Sequence, residues 1–186
     1  DKVIDCEVLV LAIGHSARDT FKMLYDKELN MESKPFAVGI RIQHSQKMIN
    51  KAQYGRDDLT ASYKLTSNIN GRGVYTFCMC PGGYVVNASS ENDELAINGM
   101  SYHDRASANA NSAIVVSVSP KDYGEGVLAG MEFQRFLERK AYKYGQGKIP
   151  VQLFKDFKKG TLSKTFGEVK PLFKGEYEMA LVNEIL

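Results

Sequence analysis

The sequence lacks a large charge of one sign and a long hydrophobic run. Its 24 Lys and Arg residues nearly balance its 22 Asp and Glu residues, which leaves a formal net charge of +2. So small a charge favours neither nucleic acid nor an anionic membrane surface as a partner. The longest apolar run, residues 8–13, is far too short to cross a bilayer. We therefore expect no nucleic acid and no membrane among the partners.

Cysteine is also scarce, with three residues in the whole chain. A low and odd count argues against a disulfide framework and for a reducing compartment, so we interpret the protein as cytoplasmic. A zinc site needs about four ligands at recognisable spacings. Apart from Cys78 and Cys80, the cysteines and histidines are scattered without a paired motif. The sequence therefore predicts no metal site.

The glycine-rich fingerprints of nucleotide sites are absent as well, since neither G-x-G-x-x-G nor a P-loop occurs. One glycine turn, GHSARDT at residues 14–20, leads from an apolar run into a helix pattern. A helix N-terminus presents free backbone N–H groups to an anion such as phosphate. On spacing alone, this turn is equally typical of an ordinary strand-to-helix connection.

The first thirty residues predict a strand, a turn and a helix. Residues 8–14, VLVLAIG, are typical of a strand buried on both faces in a parallel sheet. Ser16 and Asp19 then have the spacing of a capping box. A parallel strand needs parallel neighbours, and the rest of the sequence offers none. Because the sequence also begins without Met and ends inside a helix pattern, we expect both ends to be cut from a longer polypeptide.

From Pro35 onwards the pattern predicts an α+β fold with a mixed, largely antiparallel sheet and flanking helices. Residues 36–44 alternate like a half-buried strand, and residues 45–55 read as a helix between Ser45 and Gly55. Asn70-Gly71 predicts a hairpin within residues 61–80. The other predicted elements are strands near 84–88, 95–98 and 112–119 and helices near 133–144 and 150–159.

Cys78 and Cys80 stand immediately before Pro81, Gly82 and Gly83. Positions two apart on a strand share a face, so the pattern predicts a row of small side chains that ends at the cysteines. A disulfide between such neighbours has poor geometry, and free cysteines are commonly buried. The two glycines would let a ligand approach the backbone. Small buried residues, residues that line a ligand and a thiol or metal redox pair all remain open.

A polar segment, residues 98–113, separates two predicted strands. Loops that carry dense polar side chains are often binding or catalytic segments. His103 is a candidate acid or base and Arg105 a candidate anion clamp. The sequence assigns no serine or cysteine nucleophile to His103, so a solvated loop remains the alternative.

Taken together, five segments resemble a known bacterial family. They are AIGHSARDT, KPFAVGIRIQH, GVYTFCMCPGGYVVNASSE, NGMSYHDRASANANSAIVV and PVQLFKDF, in that order along the chain. They look like the FAD-dependent dehydrogenases often labelled NAD(FAD)-utilizing dehydrogenases. The resemblance implies a flavoprotein in which a substrate or cap domain is inserted into a Rossmann-type FAD domain.

The resemblance also implies a division of this chain and a set of site residues. Residues 1–30 would be a remnant of the FAD domain, and residues 31–186 the inserted domain, truncated at its C-terminus. FAD, a small-molecule substrate and the missing FAD domain would be the partners, with NAD(P)H as a possible reductant. The fragment alone would be inactive and bind no cofactor. The residues expected near the cofactor are Gly14, His15, Ser16, Ala17, Arg18, Pro81, Gly82 and Gly83, and the catalytic candidates are Cys78, Cys80, His103 and Arg105.

Two other functions remain open on the residues alone. One is a non-enzymatic module that binds a ligand or a protein through its sheet face and its polar loop. The other is a thiol or metal redox protein that uses Cys78 and Cys80. The resemblance favours a domain that covers FAD and shapes the substrate site for hydride or electron transfer.

Overall fold

The structure is a computed structural model that describes residues 2–186. The chain divides into two compact units, Asp1–Glu32 and Ser33–Leu186. Among the described residues, no helix combines the length and the apolar composition that a membrane crossing requires.

The first unit contains helix α1 (Arg18–Asp26). The strand predicted at residues 8–13 is not formed, and these residues are exposed and irregular. The strand is therefore not formed by this chain alone, and its pairing with strands outside the chain stays a prediction. Backbone N–H and C=O groups need a neighbouring strand, and no strand of the described residues pairs with this segment.

The second unit confirms the α+β class and the largely antiparallel pairing. Its strands are β1 (Phe36–Ser45), β2 (Thr66–Ile69), β3 (Arg72–Cys80), β4 (Gly83–Asn87), β5 (Ile97–Ser101), β6 (Asn109–Val118), β7 (Ile149–Val151), β8 (Phe173–Lys174) and β9 (Tyr177–Met179). Its helices are α2 (Gln46–Tyr54), α3 (Pro120–Tyr123), α4 (Ala129–Tyr144) and α5 (Phe154–Phe157), with a 3-10 turn at Val182–Glu184.

The largest sheet of the described residues has the order β1-β6-β3-β2, with every neighbouring pair antiparallel. β1 pairs with β6 along its whole length, from Phe36 opposite Val118 to Ser45 opposite Asn109. This register keeps the predicted alternation of β1, so Arg41 and the residues two away from it share one face. β1 is an edge strand, since its other side pairs with no strand of this sheet.

Two predicted local features of this sheet are confirmed. The turn between β2 and β3 consists of Asn70 and Gly71, both with positive φ, +52° and +80°, as a tight two-residue hairpin requires. Helix α2 ends at Gly55, whose φ of +67° is the left-handed conformation that closes helices. Ser45 precedes α2 as predicted, although its side chain makes no capping hydrogen bond.

The remaining strands form a second layer. β4 lies between β5, antiparallel to it, and β8, parallel to it, while β7 and β9 form a short parallel pair. Helix α4, predicted from its apolar period, packs an aromatic ring against the start of β1. Phe36 stacks on Tyr123 at a centroid distance of 5.3 Å, and Phe133 lies 6.4 Å from Phe36.

Some element boundaries differ from the prediction. β5 and β6 begin at Ile97 and Asn109, because their length is set by pairing with β4 and β1. Most of the helix predicted at 150–159 is absent. Pro150 belongs to β7, and the backbone N–H of Leu153 donates to Ser163 Oγ at 2.8 Å, so only one helical turn, α5, forms after it.

His44, at the end of β1, gives the fold a pH dependence. Its Nε2 lies 2.7 Å from the Tyr63 hydroxyl, and burial lowers the pKa of its imidazole. As the pH falls below the ordinary histidine value of about 6.5, the unfolded chain takes up this proton before the folded one. We expect the free energy of unfolding to fall less steeply between about pH 7 and pH 5 in His44→Gln than in the wild type.

Urea denaturation at several pH values measures this difference. His103→Gln, which removes an exposed loop imidazole, controls for the loss of one histidine. A His44→Gln variant that retains the full wild-type slope would contradict the interpretation.

Candidate functional site

β3 carries a β-bulge near its end. Phe77 pairs with Ala113 and Cys80 pairs with Asn111, so two residues of β3 and only one of β6 stand between these pairs. Cys78, inside the bulge, has a φ of +44°, a left-handed conformation that is uncommon for a residue other than glycine. The extra residue shifts the alternation and places Cys80 on the same face as Phe77.

The row of small side chains predicted along β3 is therefore wrong at its end. Cys78 and Cys80 do not continue the face of Thr76, because the bulge turns the last residue to the opposite side of the sheet. The thiol of Cys78 and the ring of Phe77, which is 57% exposed, belong to the surface. Both cysteines are free.

A side chain from β1 holds the bulge in place. Arg41 Nη1 donates to the Cys78 carbonyl oxygen at 3.0 Å and to Asn111 Oδ1 at 2.8 Å. Arg41 Nη2 donates to Asn98 Oδ1 at 3.3 Å, and Cys80 Sγ donates to the Cys78 carbonyl oxygen at 3.3 Å. We call these five residues, Arg41, Cys78, Cys80, Asn98 and Asn111, the arginine–cysteine cluster.

β5 covers the arginine–cysteine cluster closely. A Cβ atom on Gly99 would overlap Arg41 Nη1 and lie 2.7 Å from Cys80 Sγ. Asn111 is fully buried, and its Nδ2 donates to the Tyr84 carbonyl oxygen at 3.2 Å. The second layer can therefore reach the first sheet only because position 99 has no side chain.

The cluster contains a charged guanidinium and a neutral thiol. Burial lowers the pKa of Arg41, yet an arginine retains its charge because its ordinary value is so high. Burial raises the pKa of the Cys80 thiol, and the Arg41 charge only partly opposes this effect. At neutral pH the Cys80 thiol is therefore protonated, which makes it a weak nucleophile.

Gly82 and Gly83, which were predicted to lie near the cofactor, pack against other residues of this chain. Gly82 has a φ of +51°, and a Cβ atom there would overlap the Arg105 carbonyl oxygen. Its N–H donates to Gln46 Oε1 at 2.7 Å. Pro81, Gly82 and Gly83 are all buried. The group that approaches the backbone of Gly82 closely is the Arg105 carbonyl of this chain. A role of these residues in cofactor binding stays a prediction.

The other catalytic candidates lie on the exposed loop between β5 and β6. The structure does not bring His103 or Arg105 into the hydrogen bonds of the arginine–cysteine cluster. Arg105 contributes its backbone instead, against Gly82. Their predicted roles as acid, base or anion clamp remain predictions.

Helix α1, which follows the glycine turn of the first unit, begins later than predicted. The N-cap is Ala17, with no side-chain capping hydrogen bond, so the predicted capping box of Ser16 is wrong. Ser16 lies one residue before the N-cap. Its carbonyl oxygen accepts from the Arg18 N–H at 2.9 Å, and its Oγ lies 3.1 Å from His15 Nδ1. Gly14, with a φ of +74°, makes the turn.

Glu91, Glu94 and Glu138 form an acidic group whose carboxylate oxygens lie within 4.8 Å of one another. Burial and the two neighbouring carboxylates raise the pKa of Glu94. Arg135 Nη2 donates to Glu91 at 2.6 Å, and Arg139 Nε donates to Glu94 at 3.0 Å. These two arginines from α4 pair with two of the three carboxylates, so the group is explained as an ion-pair network.

Comparison with known proteins gives the family. Residues 35–186 match the model of a family described as "FAD-dependent protein, C-terminal domain-like". The chain belongs to this family. A relative from Clostridium beijerinckii, described as an uncharacterized protein, is 52% identical over 195 residues. The alignment covers 100% of this chain and 37% of the relative, so the chain spans little more than a third of that protein.

Because the family is FAD-dependent, the predicted cofactor residues of each unit can be compared with what FAD requires. At the start of α1 the Arg18 N–H already donates to the Ser16 carbonyl oxygen at 2.9 Å and the Thr20 N–H to Asp19 Oδ1 at 2.7 Å, so this end offers a phosphate chiefly the positive end of the helix dipole. The ring of Phe77 is exposed, and Arg41 shares its face of the sheet, because both residues pair with Ala113. The turn at residues 14–17 contains one glycine where a dinucleotide fingerprint has three. A role of these residues in binding FAD stays a prediction.

Sequence reasoning missed the central residue of the cluster. Arg41 is the one charge in the apolar stretch FAVGIRI, and a charge at such a position is seldom buried unless it is paired. That signal could have marked Arg41 as a site residue. Asn98 and Asn111 were part of the polar segment, but only the fold shows that they accept from Arg41.

The close approach at Gly82 predicts a sharp contrast between two glycines. Gly82→Ala must place a Cβ atom against the Arg105 carbonyl oxygen, whereas Gly55, with a similar positive φ, has open space around it. Alanine in the left-handed region costs about 1–2 kcal/mol at either position. Overpacking should add roughly 1–3 kcal/mol at Gly82 only. Urea denaturation of the two variants measures the difference, and equal costs would disprove the close packing of residues 82 and 105.

The neutral state of Cys80 predicts its reactivity. In a Cys6→Ser/Cys78→Ser variant, the alkylation rate of Cys80 by iodoacetamide should reach half its maximum above the ordinary thiol pKa of about 8.5, because burial disfavours the thiolate. Adding Arg41→Gln removes the opposing positive charge and should move this midpoint to still higher pH. Glutathione serves as the exposed reference thiol. A midpoint below that reference would show that Cys80 is an activated thiolate.

Proposed function

We propose that this chain is the domain of an FAD-dependent oxidoreductase that covers the flavin and shapes its substrate site. The match of residues 35–186 to an FAD-dependent family carries the proposal. The partial coverage of the Clostridium beijerinckii relative supports a longer polypeptide, which we call the parent flavoprotein. Its FAD-binding domain would be the partner of this chain, and a small molecule its substrate.

In this proposal two surfaces of the chain meet the cofactor. Residues 14–18 would lie near the dinucleotide, because the N-terminal end of α1 is the positive end of its helix dipole, which favours a phosphate. The surface at Cys78 would lie on the reacting side, with Pro81, Gly82 and Gly83 behind it. FAD, when bound, would supply the transfer of a hydride or an electron pair, with NADH or NADPH as the reductant.

In this proposal the chain's own residues would position the substrate and polarise its reacting groups. Arg41 donates to the Cys78 carbonyl in the bulge and places a fixed positive charge on the face of the sheet that carries the exposed ring of Phe77. Such a charge favours groups that carry or develop negative charge at that surface. Cys80 is a packing residue in this proposal, because its thiol is protonated and points at the Cys78 carbonyl. The three free thiols suit a reducing compartment, which supports the cytoplasm.

The parent flavoprotein provides the test. Purified whole, it should show the visible absorbance of bound FAD, and NADH or NADPH should bleach it. Arg41→Gln should lower the rate of flavin reduction or substrate turnover by roughly tenfold or more, the effect of about 1.4 kcal/mol at the transition state. Arg41→Lys should retain part of the rate, and Arg56→Gln, at an exposed arginine of another loop, should retain all of it.

The rival functions give other results. A parent protein purified without flavin would contradict the proposal and leave a binding module. A redox reaction that disappears in Cys78→Ser/Cys80→Ser but persists in Arg41→Gln would identify a thiol protein.

A further inference from the structure

A cavity of about 450 Å³ lies beside β1, within the second unit. This volume is in the range of small-molecule sites, which are concave and mainly apolar. Its walls come from β1, from the second layer and from the part of the chain that follows α4. The apolar side chains that line it include Ile42, Val85, Ile97, Phe154, Phe157 and Phe173.

Three polar side chains of the lining are committed to the chain itself. Both polar ends of the Gln152 amide form hydrogen bonds within the second unit, and the Ser163 hydroxyl donates to Asp156 Oδ2 at 2.8 Å. Gln43 Oε1 accepts from the Leu172 N–H at 2.9 Å, and Gln43 Nε2 is buried, out of reach of a ligand. None of these groups therefore offers a ligand a binding partner.

Arg41 also lines the cavity, but its guanidinium is directed elsewhere. It donates to the Cys78 carbonyl oxygen and to the side-chain oxygens of Asn98 and Asn111. None of these three residues belongs to the lining. The charged end of Arg41 is therefore turned toward the arginine–cysteine cluster and away from the cavity.

Two other lining residues have polar groups that no part of the described chain uses. Thr165 and Glu168 both line the cavity and are exposed, and within residues 2–186 neither side chain has a hydrogen-bond or ion-pair partner. Lys164 and Lys170 lie close to Glu168 in the sequence but do not pair with it. A hydroxyl can donate or accept, whereas a carboxylate only accepts. Glu168 therefore gives the cavity a negative charge that no ion pair within the described chain neutralises.

We propose that this cavity binds a small molecule with an apolar body and an ammonium group, and that the ammonium group pairs with Glu168. Burial of the apolar body against the lining supplies most of the affinity. The ammonium group has three N–H donors, which suit the Glu168 carboxylate and the Thr165 hydroxyl. The inference does not rest on the proposed flavin function, since every residue in it belongs to the second unit.

A ligand that carries a carboxylate fits this cavity less well. Its charge would meet the like charge of Glu168. The cation that the structure places beside a lining residue is Lys158, whose Nζ lies 5.9 Å from the centroid of the Phe154 ring. Lys158 is exposed and is not itself part of the lining, so water and salt screen its attraction for a carboxylate.

Binding of matched probes to the 186-residue chain, without flavin, tests this site. 4-Phenylbutylamine carries the ammonium group at neutral pH, 4-phenyl-1-butanol replaces it by a neutral hydroxyl, and 4-phenylbutyrate replaces it by a carboxylate. Ligand-observed NMR gives the dissociation constants. The amine should bind roughly twofold to fivefold more tightly than the alcohol, the effect of one exposed ion pair, and the preference should shrink in about 0.5 M NaCl.

The net charge of the chain makes this order of affinities informative. The chain carries a formal charge of +2, so non-specific attraction favours the carboxylate over the amine. A preference for the amine therefore requires a local negative charge at the place where the probe binds.

Two variants and one control connect the binding to the cavity. Glu168→Gln keeps the size of the side chain but removes its charge, so the preference for the amine over the alcohol should disappear. Val169→Trp, at a lining residue that is 36% exposed, fills space and should weaken all three probes. Glu125→Gln, at an exposed position before α4, removes the same charge elsewhere and should bind like the wild type. Circular dichroism confirms that each variant is folded.

The outcomes are distinct. Absence of amine binding, equal binding of the amine and the alcohol, or tighter binding of the carboxylate would each overturn the proposal. So would an amine preference that persists in Glu168→Gln, because another carboxylate would then hold the ammonium group. Unchanged binding in Val169→Trp would overturn it as well, because the probes would then lie outside the cavity. A parent protein without flavin would refute the proposed function and leave this result unaffected.

Discussion

The hydrogen bonds of Arg41 connect more of this fold than any other contact described above. One guanidinium from the edge strand β1 reaches across β6 to the carbonyl of Cys78 in β3 and to Asn98 in β5. Desolvating a charge is costly unless acceptors replace the lost water, and the two asparagine oxygens and the Cys78 carbonyl do so. The bulge in β3 and the glycine in β5 both fit around this one partly buried charge.

Local sequence signals were sufficient for much of the first sheet. β1 was predictable because alternation along ten residues marks a strand with two different faces. The hairpin was predictable because Asn70-Gly71 accommodates two positive φ angles in succession. Helix α2 was predictable from its apolar spacing and from Gly55, which ends it. In each case the residues that carry the signal take up the predicted conformation, and β1 in addition finds its pairing partner, β6, within this chain.

The site could not be predicted in the same way, because long-range contacts decide it. Nothing in the letters CMC indicates that Cys78 takes a positive φ, since that conformation follows from the Arg41 bond to its carbonyl. The apolar run at residues 8–13 reads as a strand, but strand pairing needs a neighbour. Likewise, Pro150 lies in a strand that pairs with β9 and not in a helix. The residues that decide this conformation are almost thirty positions away.

Arg41 and Gln43 differ in how completely the chain satisfies their hydrogen-bonding groups. These residues are two apart on β1 and share a face. The guanidinium of Arg41 must be fully compensated by the chain, because an unpaired buried charge would cost several kcal/mol. The amide of Gln43 is neutral, so one unpaired N–H is a cost of only about 1–3 kcal/mol that a stable domain can tolerate. The neutral amide can therefore stay partly unsatisfied in a stable domain, whereas the guanidinium has to be compensated by acceptors of the chain.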